Sequence, residues 1–104
     1  MKIKEAQKKV EELILHYGDY WEPLSMLARL TEEVGELSRA MNIKYGGKKA
    51  KSTDDGRDIE KELMDVLFST LAIANSQKID IEKEFHEKIE KDFEKMKGVY
   101  IKGE

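Results

Sequence analysis

The residues that this sequence lacks exclude several classes of protein. It contains no cysteine, which excludes disulfide scaffolds, thiolate zinc sites and thiol catalysis. No apolar run approaches the ~20 residues that a membrane span requires, and the N-terminus has no signal-peptide pattern. These absences predict a cytoplasmic protein that has no membrane partner.

Proline is also scarce, with a single residue, while charged side chains make up 39% of the chain and hydrophobic ones another 39%. That mixture predicts a soluble, helix-rich protein. The net charge of −3 argues against non-specific binding to nucleic acid or to a membrane surface. A length of 104 residues predicts one domain, which we place at 1–97, followed by a C-terminal tail at 98–104.

The spacing of apolar residues predicts four helices. They cover residues 2–17, 22–45, 58–77 and about 81–97, and Asp80 is the predicted N-cap of the last. Residues 46–57 are rich in glycine, lysine and aspartate, which predicts a loop. The sequence leaves open whether this loop is a solvated connector or a lid that clamps phosphate.

The third predicted helix is apolar on two faces, which predicts burial from two sides. The first face contains Ile59, Leu63, Val66, Ile73 and Ala74, and the second contains Met64, Phe68 and Leu71. A chain of this length is too small to cover both faces, so we infer a dimer or tetramer whose interface uses this helix.

Five carboxylates form the most informative pattern in the chain. Glu32, Glu33 and Glu36 lie on the second helix, and Glu62 and Asp65 lie on the third. Like charges three or four residues apart repel on a helix surface, and a divalent cation with oxygen ligands would offset that repulsion. The alternative is a solvated strip or salt bridges to lysine.

The position of the first acidic group follows from the apolar stripe of its helix. This stripe contains Leu27, Leu30, Val34, Leu37 and Met41. Glu33 lies on the flank of the stripe, so we expect the acidic cluster to begin at the boundary of the core and to run outward. We interpret Tyr20 and Trp21 as core aromatics rather than as side chains that stack on a ligand.

Few other classes of catalytic site fit the sequence. The two histidines, His16 and His86, are not preceded by glutamate at the Glu-x-x-His spacing of di-iron carboxylate proteins. No serine–histidine motif and no glycine-rich phosphate loop is present. Composition and spacing therefore favour Mg²⁺-dependent phosphate chemistry at a carboxylate site, with a spare carboxylate as general base.

The order Glu32-Glu33-Val34-Gly35-Glu36, then Glu62-Leu63-Met64-Asp65, resembles the EExxE and ExxD signature of the MazG-like nucleoside triphosphate pyrophosphohydrolases. These enzymes belong to the all-α NTP pyrophosphatase superfamily. The resemblance covers about residues 20–97. It implies an all-α, four-helix bundle-like fold that is completed by homo-oligomerisation, as a homodimer or homotetramer.

The resemblance also implies an activity and a set of site residues. The expected reaction converts a nucleoside triphosphate to its monophosphate and pyrophosphate, and it requires Mg²⁺, for which Mn²⁺ can substitute. Matching positions make Glu32 and Glu33 catalytic, with Glu32 holding a second metal or orienting the attacking water. The implied metal ligands are Glu33, Glu36, Glu62 and Asp65, and the implied phosphate-binding residues are Lys88, Lys91 and Lys95.

Three alternatives stay open at this point. Phosphoribosyl-ATP pyrophosphohydrolase shares the helical architecture and the acidic motifs but cleaves a different substrate. A dUTPase-type or dCTPase-type specificity is a variant of the same class. A non-enzymatic helical oligomerisation module would carry its acids as a solvated face, and its lysine row would pair with neighbouring glutamates.

Overall fold

The structure is a computed structural model that describes residues 1–47 and 58–103. These residues form four α-helices and no strand, which confirms the predicted all-α class. The helices are α1 (Ile3–His16), α2 (Pro23–Tyr45), α3 (Ile59–Ser76) and α4 (Ile81–Gly103). Most of the predicted loop at 46–57 lies outside the described residues. The described part contains no helix that is long and apolar enough to cross a membrane.

Local sequence signals mark where the helices begin and end. Pro23 occupies the first turn of α2, where its missing N–H is not needed. Asp80 accepts a hydrogen bond from the Lys83 amide at 3.3 Å, which confirms the predicted N-cap of α4. Gly18 follows α1 with φ of 137°, a conformation that glycine adopts without steric cost.

The C-terminal end of α4 differs from the prediction. We expected this helix to end near Lys97 and a tail to begin at Gly98, but the helix continues to Gly103. A glycine inside a helix costs only about 1 kcal/mol relative to alanine. One glycine is therefore too weak a signal to stop a helix.

The main packing contact joins α2 to α3, while α1 lies across α3 and touches α4. The buried apolar residues of the described chain are Val10, Met26, Leu71 and Ala74, and the buried polar ones are Glu33, Glu62 and Ser69. The core is therefore small. It carries ionisable groups in its centre.

The face that α2 turns toward α3 differs from the predicted stripe. Leu27, Val34 and Met41 are 52%, 47% and 46% exposed, and Leu30 and Leu37 are half-buried. Met26 and Glu33 are the buried residues of this helix. Met26 and Glu33 are seven residues apart, which is two helical turns, so they share one face. The expectation that the acidic cluster begins at the edge of the core was wrong, because Glu33 lies inside the α2–α3 contact.

The third helix is covered only in part within one chain. Glu62 and Ser69 are buried, at 1% and 9% exposure, whereas Asp65 on the same side of the helix is exposed. Leu63 and Met64, which belong to the two predicted apolar faces, are 46% and 52% exposed. Within one chain, α3 thus buries Glu62 and Ser69 while much of its predicted apolar surface remains uncovered.

The turn between α3 and α4 is held by one side chain from α1. The side-chain nitrogen Nε2 of Gln7 donates to Asn75 Oδ1 and to the backbone carbonyl of Ile79, each at 2.9 Å. Gln7 Oε1 accepts from the backbone amide of Ile81 at 3.1 Å. Asn75 Nδ2 donates to the backbone carbonyl of Gln7 at 2.8 Å. These bonds fix the start of α4 relative to α1 and α3.

We expect Gln7→Ala to lower the free energy of unfolding by about 2 kcal/mol, since it removes several hydrogen bonds worth about 1 kcal/mol each. Urea denaturation at fixed protein concentration measures the change. Lys8→Ala, at an exposed position on the same helix, is the matched control. Equal effects of the two substitutions would contradict the assigned role of Gln7.

Candidate active site

Three carboxylates from two helices meet at the α2–α3 contact. One oxygen each from Glu33, Glu62 and Asp65 lies within 4.8 Å of the other two. Glu33 is 4% exposed and Glu62 is 1% exposed, whereas Asp65 reaches the surface. The site is therefore buried on two sides and open at Asp65.

The local fold explains why these side chains converge. Glu62 and Asp65 are three residues apart on α3, so they project from the same side of that helix. Glu33 lies on the face of α2 that packs against α3. The two sequence motifs are thus brought together by the contact between their helices.

The donor set fits a hard divalent cation. Mg²⁺ binds oxygen ligands at ~2.1 Å, so two ligands of one ion lie at most ~4.2 Å apart. The described oxygens, all within 4.8 Å of one another, need a shift of less than 1 Å to meet that limit. Burying carboxylates requires pairing or a cation. A solvated acidic face does not fit the burial of Glu33 and Glu62.

The other two predicted acids lie beside this group rather than in it. Glu36 is half-buried one turn beyond Glu33 on α2. The Glu32 side chain is 68% exposed, and its Oε2 lies 3.9 Å from Arg29 Nη1. The roles of Glu36 as a ligand and of Glu32 in catalysis stay predictions.

Arg29 is a site residue that sequence reasoning missed. Its Nε donates to Glu33 Oε1 at 2.8 Å, while its own side chain is 54% exposed. The i,i+4 spacing of Arg29 and Glu33 on a predicted helix was the available signal. The ion pair places one positive charge directly against the carboxylates.

A cavity of about 410 Å³ opens beside the carboxylates, a size typical of small-ligand sites. Glu33 and Asp65 form part of its wall, so the cavity and the acidic group are continuous. Its polar lining also includes Asp19, Arg29 and Ser69. The apolar and aromatic lining consists of Leu13, Ile14, Tyr17, Tyr20, Trp21, Met26, Phe68 and Ala72.

The two aromatics that we interpreted as core residues belong to this cavity. Trp21 is 61% exposed, so the interpretation as a core residue was wrong. Tyr20 is half-buried, and its hydroxyl donates to Glu11 Oε1 at 3.1 Å. Burial, together with the Glu11 hydrogen bond, raises the pKa of Tyr20 above its ordinary value, so this ring stays neutral.

The lysine row lies apart from the cavity. Lys88, Lys91 and Lys95 are exposed on α4, and none of them contributes to the cavity wall. Lys88 Nζ donates to Asp92 Oδ2 at 2.9 Å, and this hydrogen bond lowers the pKa of the Asp92 carboxyl. Within one chain Lys88 pairs with a residue of its own helix, and the contact of the row with phosphate stays a prediction.

Comparison with known proteins agrees with this geometry. The sequence profile of the MazG nucleotide pyrophosphohydrolase domain matches residues 21–99. The uncharacterized protein YpjD of Bacillus subtilis strain 168 is 43% identical over 88 residues, which are 84% of this chain and 78% of YpjD.

Solved structures have the same arrangement of helices. The crystal structure of YpjD, for which a pyrophosphatase activity has been proposed, has a TM-score of 0.76 at 41% identity and covers 89% of this chain and 95% of its own. The Bacillus-conserved MazG protein, a nucleotide pyrophosphohydrolase, has a TM-score of 0.73 at 40% identity, with 88% of each chain covered. iMazG from Vibrio DAT 722 has a TM-score of 0.65 at 30% identity, covering 88% of this chain and 98% of its own.

We expect Mg²⁺ to stabilise the folded protein and Glu62→Gln to abolish most of that stabilisation. A ligand at 100 times its Kd stabilises by about 2.7 kcal/mol, and the loss of a buried ligand oxygen removes that gain. Thermal unfolding with and without Mg²⁺ measures it. Glu60→Gln, at an exposed position of the same helix, is the control. A full Mg²⁺ shift in Glu62→Gln would contradict the assignment.

Proposed function

The chain belongs to the MazG nucleotide pyrophosphohydrolase family, and we propose that it is a Mg²⁺-dependent enzyme that converts a nucleoside or deoxynucleoside triphosphate to its monophosphate and pyrophosphate. The observation that carries this proposal is the continuity of the carboxylate group with an aromatic cavity. A cation bound by carboxylates holds phosphate oxygens. The cavity beside it has room for the rest of a nucleotide.

The carboxylates of the site would serve two functions, cation binding and activation of water. Glu33, Glu62 and Asp65 would hold the cation, with Glu36 joining from the next turn of α2. When bound, the cation would neutralise phosphate charge and polarise the phosphorus centre. Glu32 would orient the attacking water and accept its proton, as the new P–O bond forms and pyrophosphate leaves, and Glu33 would take part in catalysis through the cation.

The aromatic wall would hold the nucleobase. Tyr17, Trp21 and Phe68 line the cavity, and stacking on an aromatic side chain contributes about 1–3 kcal/mol per base. Stacking tolerates every base, so this wall supports nucleotide binding without selecting one base. Phosphoribosyl-ATP also contains a base and phosphates, and for that reason it remains the second candidate substrate.

We expect Mg²⁺-dependent release of pyrophosphate from one or a few nucleotides in a panel of canonical and modified NTPs and dNTPs, and none in EDTA. Phosphoribosyl-ATP belongs in the same panel. Glu33→Gln should lower the rate about 100-fold, the scale of losing one charge-stabilising group. Glu60→Gln should retain it.

A folded, Mg²⁺-binding protein that cleaves nothing in this panel would contradict the proposed reaction. Cleavage of phosphoribosyl-ATP alone would select the histidine-biosynthesis activity over the general triphosphate activity.

The exposed apolar surface supports a homo-oligomer. The chain has 8542 Å² of accessible surface, whereas a compact monomer of 12.1 kDa is expected to have about 6,000 Å². Its radius of gyration is 17.8 Å, against ~13 Å for a compact domain of about 100 residues. The exposed apolar side chains include Leu63, Leu67, Phe85 and Phe93. We propose that a second copy covers them, as a dimer or tetramer.

We expect sedimentation equilibrium to give a dimer or tetramer. Leu67→Lys should shift the equilibrium toward monomer, because it places a charge in an apolar contact. Leu15→Lys, at a 52% exposed position on α1, should leave the assembly intact. A monomer at every concentration would contradict the proposal.

A further inference from the structure

Arg29 lies at the boundary between the acidic group and the cavity. Its Nε is 2.8 Å from Glu33 Oε1, and its Nη1 is 3.9 Å from Glu32 Oε2. The same side chain lines the cavity and is 54% exposed. The guanidinium therefore has a carboxylate on one side and open volume on the other.

Arg29 is also the one lysine or arginine among the described residues of the cavity wall. A nucleotide that places its base against the aromatic wall and its phosphates at the carboxylates would occupy the cavity that this side chain lines. The planar guanidinium binds phosphate oxygens through two N–H groups at once. Its position and its chemistry therefore suit Arg29 to binding a phosphate group.

The cation and Arg29 share one ligand. Glu33 is the ion-pair partner of the guanidinium and also a member of the group that could hold a metal. A divalent cation bound there would stand close to a fixed positive charge, and like charges repel strongly in a partly buried site. A cation bound at Glu33 would therefore weaken the ion pair between Glu33 and Arg29.

We propose that Arg29 couples cation binding to substrate binding. Before the cation binds, Arg29 is the counter-ion of Glu33. Once the cation neutralises Glu33, the guanidinium turns into the cavity and binds a phosphate of the nucleotide. This inference rests on the proposed function, because it assigns Arg29 a part at that same site.

The test uses calorimetry rather than turnover. Mg²⁺ is titrated alone, and inorganic pyrophosphate is then titrated into Mg²⁺-saturated protein, so the identity of the base does not matter. Arg29→Met should bind Mg²⁺ several-fold more tightly than the unmodified protein, because the positive charge beside Glu33 is gone. It should bind pyrophosphate about 10-fold more weakly, or worse, because a charge-assisted hydrogen bond is lost.

Two further variants control the experiment. Lys44→Met removes one positive charge from the same helix at an exposed position outside the cavity wall, and it should change neither affinity. Arg29→Lys keeps the charge without the planar fork, and it should keep the weak Mg²⁺ binding while recovering only part of the pyrophosphate affinity. Far-UV circular dichroism of each variant checks that the helices are intact.

Weaker Mg²⁺ binding in Arg29→Met would overturn the proposal, since Arg29 would then only hold Glu33 in position. Unchanged pyrophosphate affinity would overturn it as well. Failure of the proposed function is distinguishable from both results. In that case the unmodified protein itself binds no Mg²⁺ and releases no pyrophosphate from nucleotides, and the inference falls with it.

Discussion

The packing of α2 against α3 is the contact on which the rest of this structure depends. It puts Glu33 and Glu62, at 4% and 1% exposure, in a place where most small proteins put leucine or valine. Buried carboxylates require compensation by hydrogen bonds, opposite charge or a cation. The contact between α2 and α3 therefore buries less apolar surface than a contact made by leucine or valine, and it forms a site that can hold charge.

The small core and the exposed apolar surface follow from that arrangement. With acids in the middle of the α2–α3 contact, Leu63 and Met64 remain accessible at the sides of α3. A second copy that covers these sides would supply the burial that the single chain lacks. In this view the site and the assembly are linked, because the helix that carries Glu62 and Asp65 also offers the interface.

The cavity determines where a ligand of the acidic group can extend. Carboxylates alone would bind a cation and leave its other ligands to water. Here the acids and the aromatic side chains line one cavity, and Arg29, which pairs with Glu33, lines it as well. With a cation at the acids, a ligand that is anionic at one end and aromatic at the other would fit the whole site, and a nucleotide has that form. The family membership of the chain agrees with that chemistry.

The sequence by itself determined the four helices, the start of α2 at Pro23, the N-cap at Asp80 and the two acidic motifs, because helical period and motif spacing are local properties. Which three of the five acids converge was decided by the contact between α2 and α3. The sequence did not determine which face of α2 meets α3. The apolar spacing favoured the stripe of Leu27, Leu30, Val34, Leu37 and Met41, whereas the most buried residues of α2 are Met26 and Glu33. Only the tertiary structure could place Trp21 and Arg29 on the cavity wall, since their neighbours come from other helices.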